Sequence, residues 1–363
     1  SRMVNVGLVT GMFLLAAVNA RADGNPCGCA LARNGRPIRV AVIGGSITAG
    51  AGASSVEKRW PNRFVSGLSE KFPGTKFELI NAGIGATGSE IGACRVKRDV
   101  LEKNPDLVIV EFSVNDTPTR ESAESYEGLI RQLLAADRKI DVMCLGMVDQ
   151  RGVSAQAWHE QVARHYGVPF VSYRDEVWPK IQKGELRWTD VAADSVHPND
   201  MGHDLAARLL FRAYDKSSKV RETLPPPLFG TTLAHGDFVK MTDLEPLENN
   251  GFFPLKDSMW GIGLACTNTN GRLAFEIDAP TVAILYRRGR DPYQWGKVRI
   301  SIDGKEVAGA LDCFSDQWWW YTPSLFLCKN QPGKHTIRIE TLPEKSAQSN
   351  GYGCHLTGFL IGK

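Results

Sequence analysis

The sequence predicts an α/β fold built on a parallel sheet, followed by an all-β sandwich. Three observations carry this reading. From residue 38 to residue 216, short apolar β-branched runs alternate with helical apolar faces, the pattern of a parallel sheet covered by helices. Pro225-Pro226-Pro227 then interrupts the chain, since three prolines cannot continue a helix and stiffen a linker. Beyond them apolar residues recur at every second position. A chain of 363 residues has the length for two such domains.

Arg39-Val40-Ala41-Val42-Ile43 reads as the first buried strand. Trp60, Phe64 and Leu68 then recur every four residues and form one helical face. Phe77-Glu78-Leu79-Ile80-Asn81 is a second strand, Leu107 to Phe112 a third, Val142 to Gly146 a fourth and Val168 to Val171 a short fifth. Leu129, Leu133 and Leu134 mark a helix after the third strand, and Leu205, Leu209 and Leu210 mark the last helix, over 201–214. In the second domain, Leu273–Ile277, Val282–Tyr286, Val298–Ile302 and His335–Ile339 read as strands, with turns such as Asp303-Gly304 between them. These elements set the expected organisation: an N-terminal export signal over 1–22, a linker over 23–37, a first domain over 38–216, a Pro-rich linker over 217–230 and a β-sandwich accessory domain over 231–363.

The N-terminus has the form of an export signal. Val4 to Val18 is mostly apolar, and Ala20-Arg21-Ala22 has the small-x-small form of a cleavage site. A secreted or periplasmic protein is therefore expected, with no membrane span after cleavage. The formal net charge of +3 is too small to point to nucleic acid. Cys266, Cys313, Cys328 and Cys354 lie in the last hundred residues, and an oxidising compartment would pair them in one of three ways. Cys94 and Cys144 sit in apolar patterns and read as buried thiols. Zinc-like cysteine and histidine spacings are lacking, so neither metal nor organic cofactor is expected.

Four stretches carry chemistry. Gly44-Gly45-Ser46-Ile47-Thr48 follows the first strand, where open α/β sheets bind ligands. Thr48 stands where a Gly-x-Ser-x-Gly elbow needs its second glycine, which argues against an α/β-hydrolase elbow. Asp194-Ser195-Val196-His197 sets an acid and a base three residues apart; His197 can take a serine proton, and Asp194 can hold the imidazole. The same stretch also reads as a helix start, with Asp194 or Asn199 as cap and Pro198 in the first turn. Asn115, after the third strand, can offer its amide to an oxyanion, or can end the strand in an Asx turn. In Asn81 to Thr87 the useful group would be a backbone N–H.

In this order the four stretches resemble the SGNH hydrolases, also called GDSL-type esterases and lipases, over roughly 38–216. The resemblance implies a flavodoxin-like three-layer α/β/α sandwich and a serine esterase. It assigns Ser46 as nucleophile, His197 as base and Asp194 as its partner. The implied oxyanion hole takes the backbone N–H of Ser46, the amide of Asn115 and a backbone N–H from Gly85 or Ala86. Two departures stand out: Gly45 replaces a frequent aspartate, and Ser113 a usual glycine. The expected reaction is removal of short acyl groups, chiefly acetyl, from a carbohydrate ester by way of an acyl-enzyme. Trp318, Trp319, Trp320 and Tyr321 are candidates for stacking on sugar rings, with core packing as the other reading. A lipase or lysophospholipase activity is the second enzymatic reading. A carbohydrate-binding protein on an inactive hydrolase fold is the reading from another class.

Overall fold

A computed structural model describes residues 36–136, 140–214, 223–290, 295–317 and 321–363. The expected export signal falls outside these residues, as do Cys27, Cys29 and the three tryptophans of 318–320. The described residues form two compact units. The first comprises residues 36–83, 99–123 and the described residues of 130–228; the second takes 84–98, 124–129 and the described residues of 229–363.

The first unit is organised by a five-stranded parallel sheet. Its strands are β1 (Ile38–Gly44), β2 (Phe77–Gly83), β3 (Leu107–Glu111), β4 (Asp141–Gly146) and β5 (Phe170–Ser172). Their spatial order is β2-β1-β3-β4-β5, the flavodoxin-like arrangement expected from the motif resemblance. The order reverses between β1 and β3, so the C-terminal ends of these two neighbours open a crevice. β1 and β3 are central strands whose interiors are shielded on both faces, which is why they read as continuous apolar runs rather than alternating ones.

The helices of this unit begin with the single turn α1 (Ser46–Ala49) directly after β1, followed by α2 (Trp60–Lys71). Trp60, Phe64 and Leu68 are all buried, as their spacing predicts. The elements α3 (Ser89–Asp99) and α4 (Arg120–Ala135) come next, then α5 (Gln156–Tyr166), α6 (Tyr173–Gln182), the short α7 (Trp188–Val191) and α8 (Asp200–Ala213). The buried face of α8 differs from the expected leucine stripe. It runs through Gly202, His203, Ala206, Ala207, Leu210 and Ala213, with Leu205 and Leu209 only half-buried at its margin. Small residues let this helix lie close to its neighbours, and that packing outweighs a count of leucines. Of the expected Pro-rich linker, Pro225 and Pro226 are tied down: their carbonyls accept from Arg131 Nη1 at 2.9 Å and His165 Nε2 at 2.7 Å.

The second unit holds β6 (Gly236–Val239), β7 (Glu248–Asn250), β8 (Phe253–Asp257), β9 (Gly261–Cys266), β10 (Arg272–Asp278), β11 (Thr281–Tyr286), β12 (Lys297–Ile302), β13 (Lys305–Asp312), β14 (Ser324–Cys328), β15 (Lys334–Thr341) and β16 (Cys354–Gly362). They form two antiparallel sheets, β13-β12-β15-β10-β7 and β14-β11-β16-β9-β8, with β6 added beside β16. Inward residues of both sheets merge into one core, including Phe275 of β10 edge-on to Phe359 of β16 at 5.7 Å. The all-β domain is thus a sandwich, as alternation predicts. Residues of α3 belong to this unit: the Arg98 guanidinium stacks over Phe238 and Trp260 at 4.9 and 5.2 Å.

The expectation of disulfides needs correction. Cys266, Cys313, Cys328 and Cys354 are all buried and not joined in a disulfide, and Cys94 and Cys144 are buried too. Cys266 and Cys354 sit directly opposite one another on β9 and β16, yet they fill the core as small apolar groups. Burial pushes the Cys313 thiol up to about 12, far from the reactive thiolate.

Candidate active site

Ser46 begins α1 at the C-terminal end of β1, on the rim where the sheet order reverses. Its Oγ lies 2.8 Å from His197 Nε2. The other ring nitrogen, Nδ1, lies 2.7 Å from Asp194 Oδ2. An imidazole that donates from Nδ1 to a carboxylate presents a lone pair at Nε2, the tautomer that accepts a serine proton. The three sequence-predicted residues therefore form one continuous relay, although 151 positions separate the hydroxyl from the imidazole.

The loop carrying His197 is fastened on several sides. Ala193 N–H donates to His197 O at 2.9 Å, closing the loop on itself. Gln150 N–H donates to Ser195 O at 2.9 Å, and Trp188 Nε1 to Asp194 O at 2.7 Å. Asn199, not Asp194, caps α8 by accepting from Gly202 N–H at 3.0 Å. Asp194 is left for the histidine, and its Oδ1 accepts the N–H groups of Val196 and His197, both at 2.8 Å. Partial burial works to raise its pKa, but these N–H donors and the imidazole outweigh it and hold the carboxylate below its ordinary range. Asp194 stays 54% exposed and His197 26%, so a substrate can approach the relay from solvent.

Asn115 follows β3 in a turn whose Asn115 and Asp116 N–H groups both donate to Phe112 O. Its amide packs against the Cα of Gly45: a Cβ there would lie 2.1 Å from Asn115 Oδ1. The absence of a side chain at 45 thus lets the amide sit beside the residue preceding Ser46. Gly85 and Ala86 fall in the segment that clusters with the second unit. Ala86 has φ +56°, the left-handed conformation that favours glycine, whereas Gly85 does not. Of the two, Ala86 holds the backbone geometry of a glycine position. Tyr321 lies in the β-sandwich, exchanging backbone hydrogen bonds with Arg288 at 2.9 and 2.8 Å.

Four residues support the site without having been singled out for it in the sequence. Asn81 Nδ2 donates to Thr48 O at 2.9 Å and its Oδ1 accepts Gly83 N–H at 2.9 Å, so the end of β2 is stitched to the serine turn. His203 accepts Trp60 N–H at Nδ1 and donates from Nε2 to Ala51 O, fixing the loop beyond Ser46; burial holds its pKa below the ordinary value. Trp188 is the third. Glu111 is the fourth, and its signal was present in the sequence: a lone carboxylate ending an apolar strand. Among the described residues no group of three or more histidine, cysteine, aspartate or glutamate side chains is arranged to hold a metal ion.

A serine hydroxyl, an imidazole and a carboxylate in line on a flavodoxin-like sheet define the class: the chain is a carboxylic ester hydrolase. Residues 42–205 match the model of the GDSL-like lipase/acylhydrolase family. Across both units the chain is similar to a two-domain esterase active on acetylated mannans, solved with mannopentaose, at 26% identity and a TM-score of 0.84, covering 97% of this chain and 95% of that one. A second structure of a two-domain esterase active on acetylated mannans gives 25% identity and a TM-score of 0.83 over the same shares. No curated protein sequence matches the chain. Among the described residues no helix is long and apolar enough to cross a membrane.

Proposed function

We propose that this protein is an exported serine esterase that removes acetyl groups from a polysaccharide. The observation that carries the chemistry is the unbroken Ser46–His197–Asp194 relay, with spacings of 2.8 and 2.7 Å. Ser46 Oγ attacks the ester carbonyl carbon as its proton passes to His197 Nε2. Asp194 stabilises the imidazolium that results. The oxyanion is held by Ser46 N–H and by the Asn115 amide. Collapse of the tetrahedral adduct breaks the bond to the sugar oxygen, which takes the proton from His197. Water then attacks the acyl-enzyme, gives its proton to His197 and releases acetate, returning the proton to Ser46.

The polysaccharide assignment is supported by the similarity to esterases active on acetylated mannans, which spans both units rather than the hydrolase region alone. The test compares acetate release from acetylated mannan and acetylated xylan with hydrolysis of p-nitrophenyl esters of increasing length. A short-acyl esterase releases acetate from a glycan and slows on octanoate and longer chains. Faster turnover of the long-chain esters would replace this reading with a lipase-type one.

A further inference from the structure

We propose that Glu111 is a positioning residue that locks the nucleophile turn and the oxyanion-donor loop into one rigid unit; this rests on the roles of Ser46 and Asn115 proposed above. Glu111 ends β3 and is fully buried. One carboxyl oxygen, Oε2, accepts from Thr48 Oγ1 at 3.3 Å. Thr48 lies in the single helical turn that begins at Ser46. The other oxygen, Oε1, accepts from both the N–H and the Oγ of Ser113, each at 3.2 Å. Ser113 stands two residues before Asn115. One carboxyl group therefore joins the turn that carries the hydroxyl to the loop that carries the amide.

The rest of the geometry supports the same role. β1 and β3 are neighbours with Gly44 opposite Glu111, so the two loops leave the sheet side by side. A Cβ on Gly44 would meet Thr48 Oγ1 at 2.2 Å and Glu111 O at 2.3 Å, so this contact is built on a bare backbone. Ser113 is anchored from behind: its Oγ accepts Met147 N–H at 2.6 Å, and its carbonyl accepts Ala155 N–H at 2.7 Å. With Ser113 fixed to the loops after β4, Glu111 transmits that fixed position to Thr48. A fully buried carboxyl is costly to retain in a strand end where an apolar residue would pack as well. Its two-sided hydrogen bonding gives it a use that an apolar residue lacks.

The test is a set of variants assayed on p-nitrophenyl acetate, with folding followed by circular dichroism. Glu111→Ala cuts both sides of the brace. The spacing of hydroxyl to oxyanion donor matters only as charge develops, so kcat should fall about tenfold to a hundredfold with KM within about threefold. Glu111→Gln keeps an acceptor for Ser113 and an amide that can donate to Thr48 Oγ1, and should keep kcat within about threefold of the parent. Thr48→Val, which removes only the hydroxyl end, should lower kcat in the same direction and should add little to Glu111→Ala, since both remove the same bond. A folded Glu111→Ala enzyme with parental kcat, a loss confined to KM, or a glutamine variant as slow as the alanine one would overturn the proposal. If Glu111→Ala does not fold, Thr48→Val decides, and an unchanged kcat there overturns it. Ser46→Ala run in parallel separates the two levels: activity surviving in that variant refutes the nucleophile, whereas an inactive Ser46→Ala beside an unaffected Glu111→Ala refutes the brace alone.

Discussion

Gly83 offers the sharpest structural test of how the serine turn is held. It ends β2, and a Cβ built on it would lie 2.3 Å from Ala49 N, 2.7 Å from Ala49 Cα and 2.8 Å from Thr48 C. All three are backbone atoms of the turn that begins at Ser46, so no side chain can swing away. Carbon contacts are comfortable only at about 3.5–4.0 Å, so Gly83→Ala must push the turn by about 1 Å. Ala49 N–H donates to Gly45 O at 3.0 Å, and a push on Ala49 is passed through that bond to the residue before Ser46. Displacing a catalytic group by this much costs about a hundredfold in rate. Overpacking of this kind costs about 1–3 kcal/mol, which for a domain of this size lowers Tm by roughly 2–12 °C. The assay is kcat/KM on p-nitrophenyl acetate together with a thermal melt. Gly74→Ala is the control, because a Cβ there meets nothing within 4 Å. If Gly83→Ala matches Gly74→Ala in both rate and melting, the reasoning is wrong.

Two further outcomes follow from the site. Asp194→Ala should lower kcat by about tenfold to a thousandfold, less than His197→Ala, because water reaches the half-exposed carboxylate position and can replace its hydrogen bond to Nδ1; a larger loss from the aspartate than from the histidine contradicts this. For Glu111, burial lifts the carboxyl from 4.5 to about 7, against hydrogen bonds from Ser113 and Thr48 and with Asp116, itself paired with His159, adding to the rise. The folded value exceeds the unfolded one, so the native state binds more protons between them. The stability that this supplies is complete below about pH 4.5 and is lost as pH rises through about 7, a change of about 3 kcal/mol. Urea unfolding of the parent against Glu111→Gln should show this gap opening with pH, and a constant difference between the two would refute it.

The elements legible in the sequence are those whose packing imposes one clear period. The central parallel strands β1 and β3 stood out because shielding on both faces leaves residues 40–43 and 107–110 without a polar residue. In the sandwich, β10, β11, β12 and β15 fell where the sequence placed them. β16 did not announce itself, although it is central and buried along its whole length. His355, Thr357, Gly358 and Gly362 interrupt any apolar alternation there, and Gly358 is bare because the Phe238 ring occupies the place of its Cβ. The proximity of Ser46, His197 and Asp194 was foreseen through the resemblance of four stretches to the SGNH hydrolases, since spacing alone cannot bring together groups 151 positions apart. Asn81 was not legible, because its role is set by hydrogen bonds across strands, which no local pattern records; Glu111 left only the sign of a carboxylate ending an apolar strand, and its partners are set by the fold. The cysteines show the opposite error: their number suggested cross-links, but core burial was what their positions required.

In the proposed mechanism the Ser46 hydroxyl is the group that takes up the acyl moiety. Treating the folded protein with a fluorophosphonate and mapping the adduct by peptide mass spectrometry tests it directly. A single adduct on the peptide containing Ser46, absent in Ser46→Ala and slowed in His197→Ala, is the predicted result. No adduct, or an adduct on another serine that survives Ser46→Ala, would contradict it.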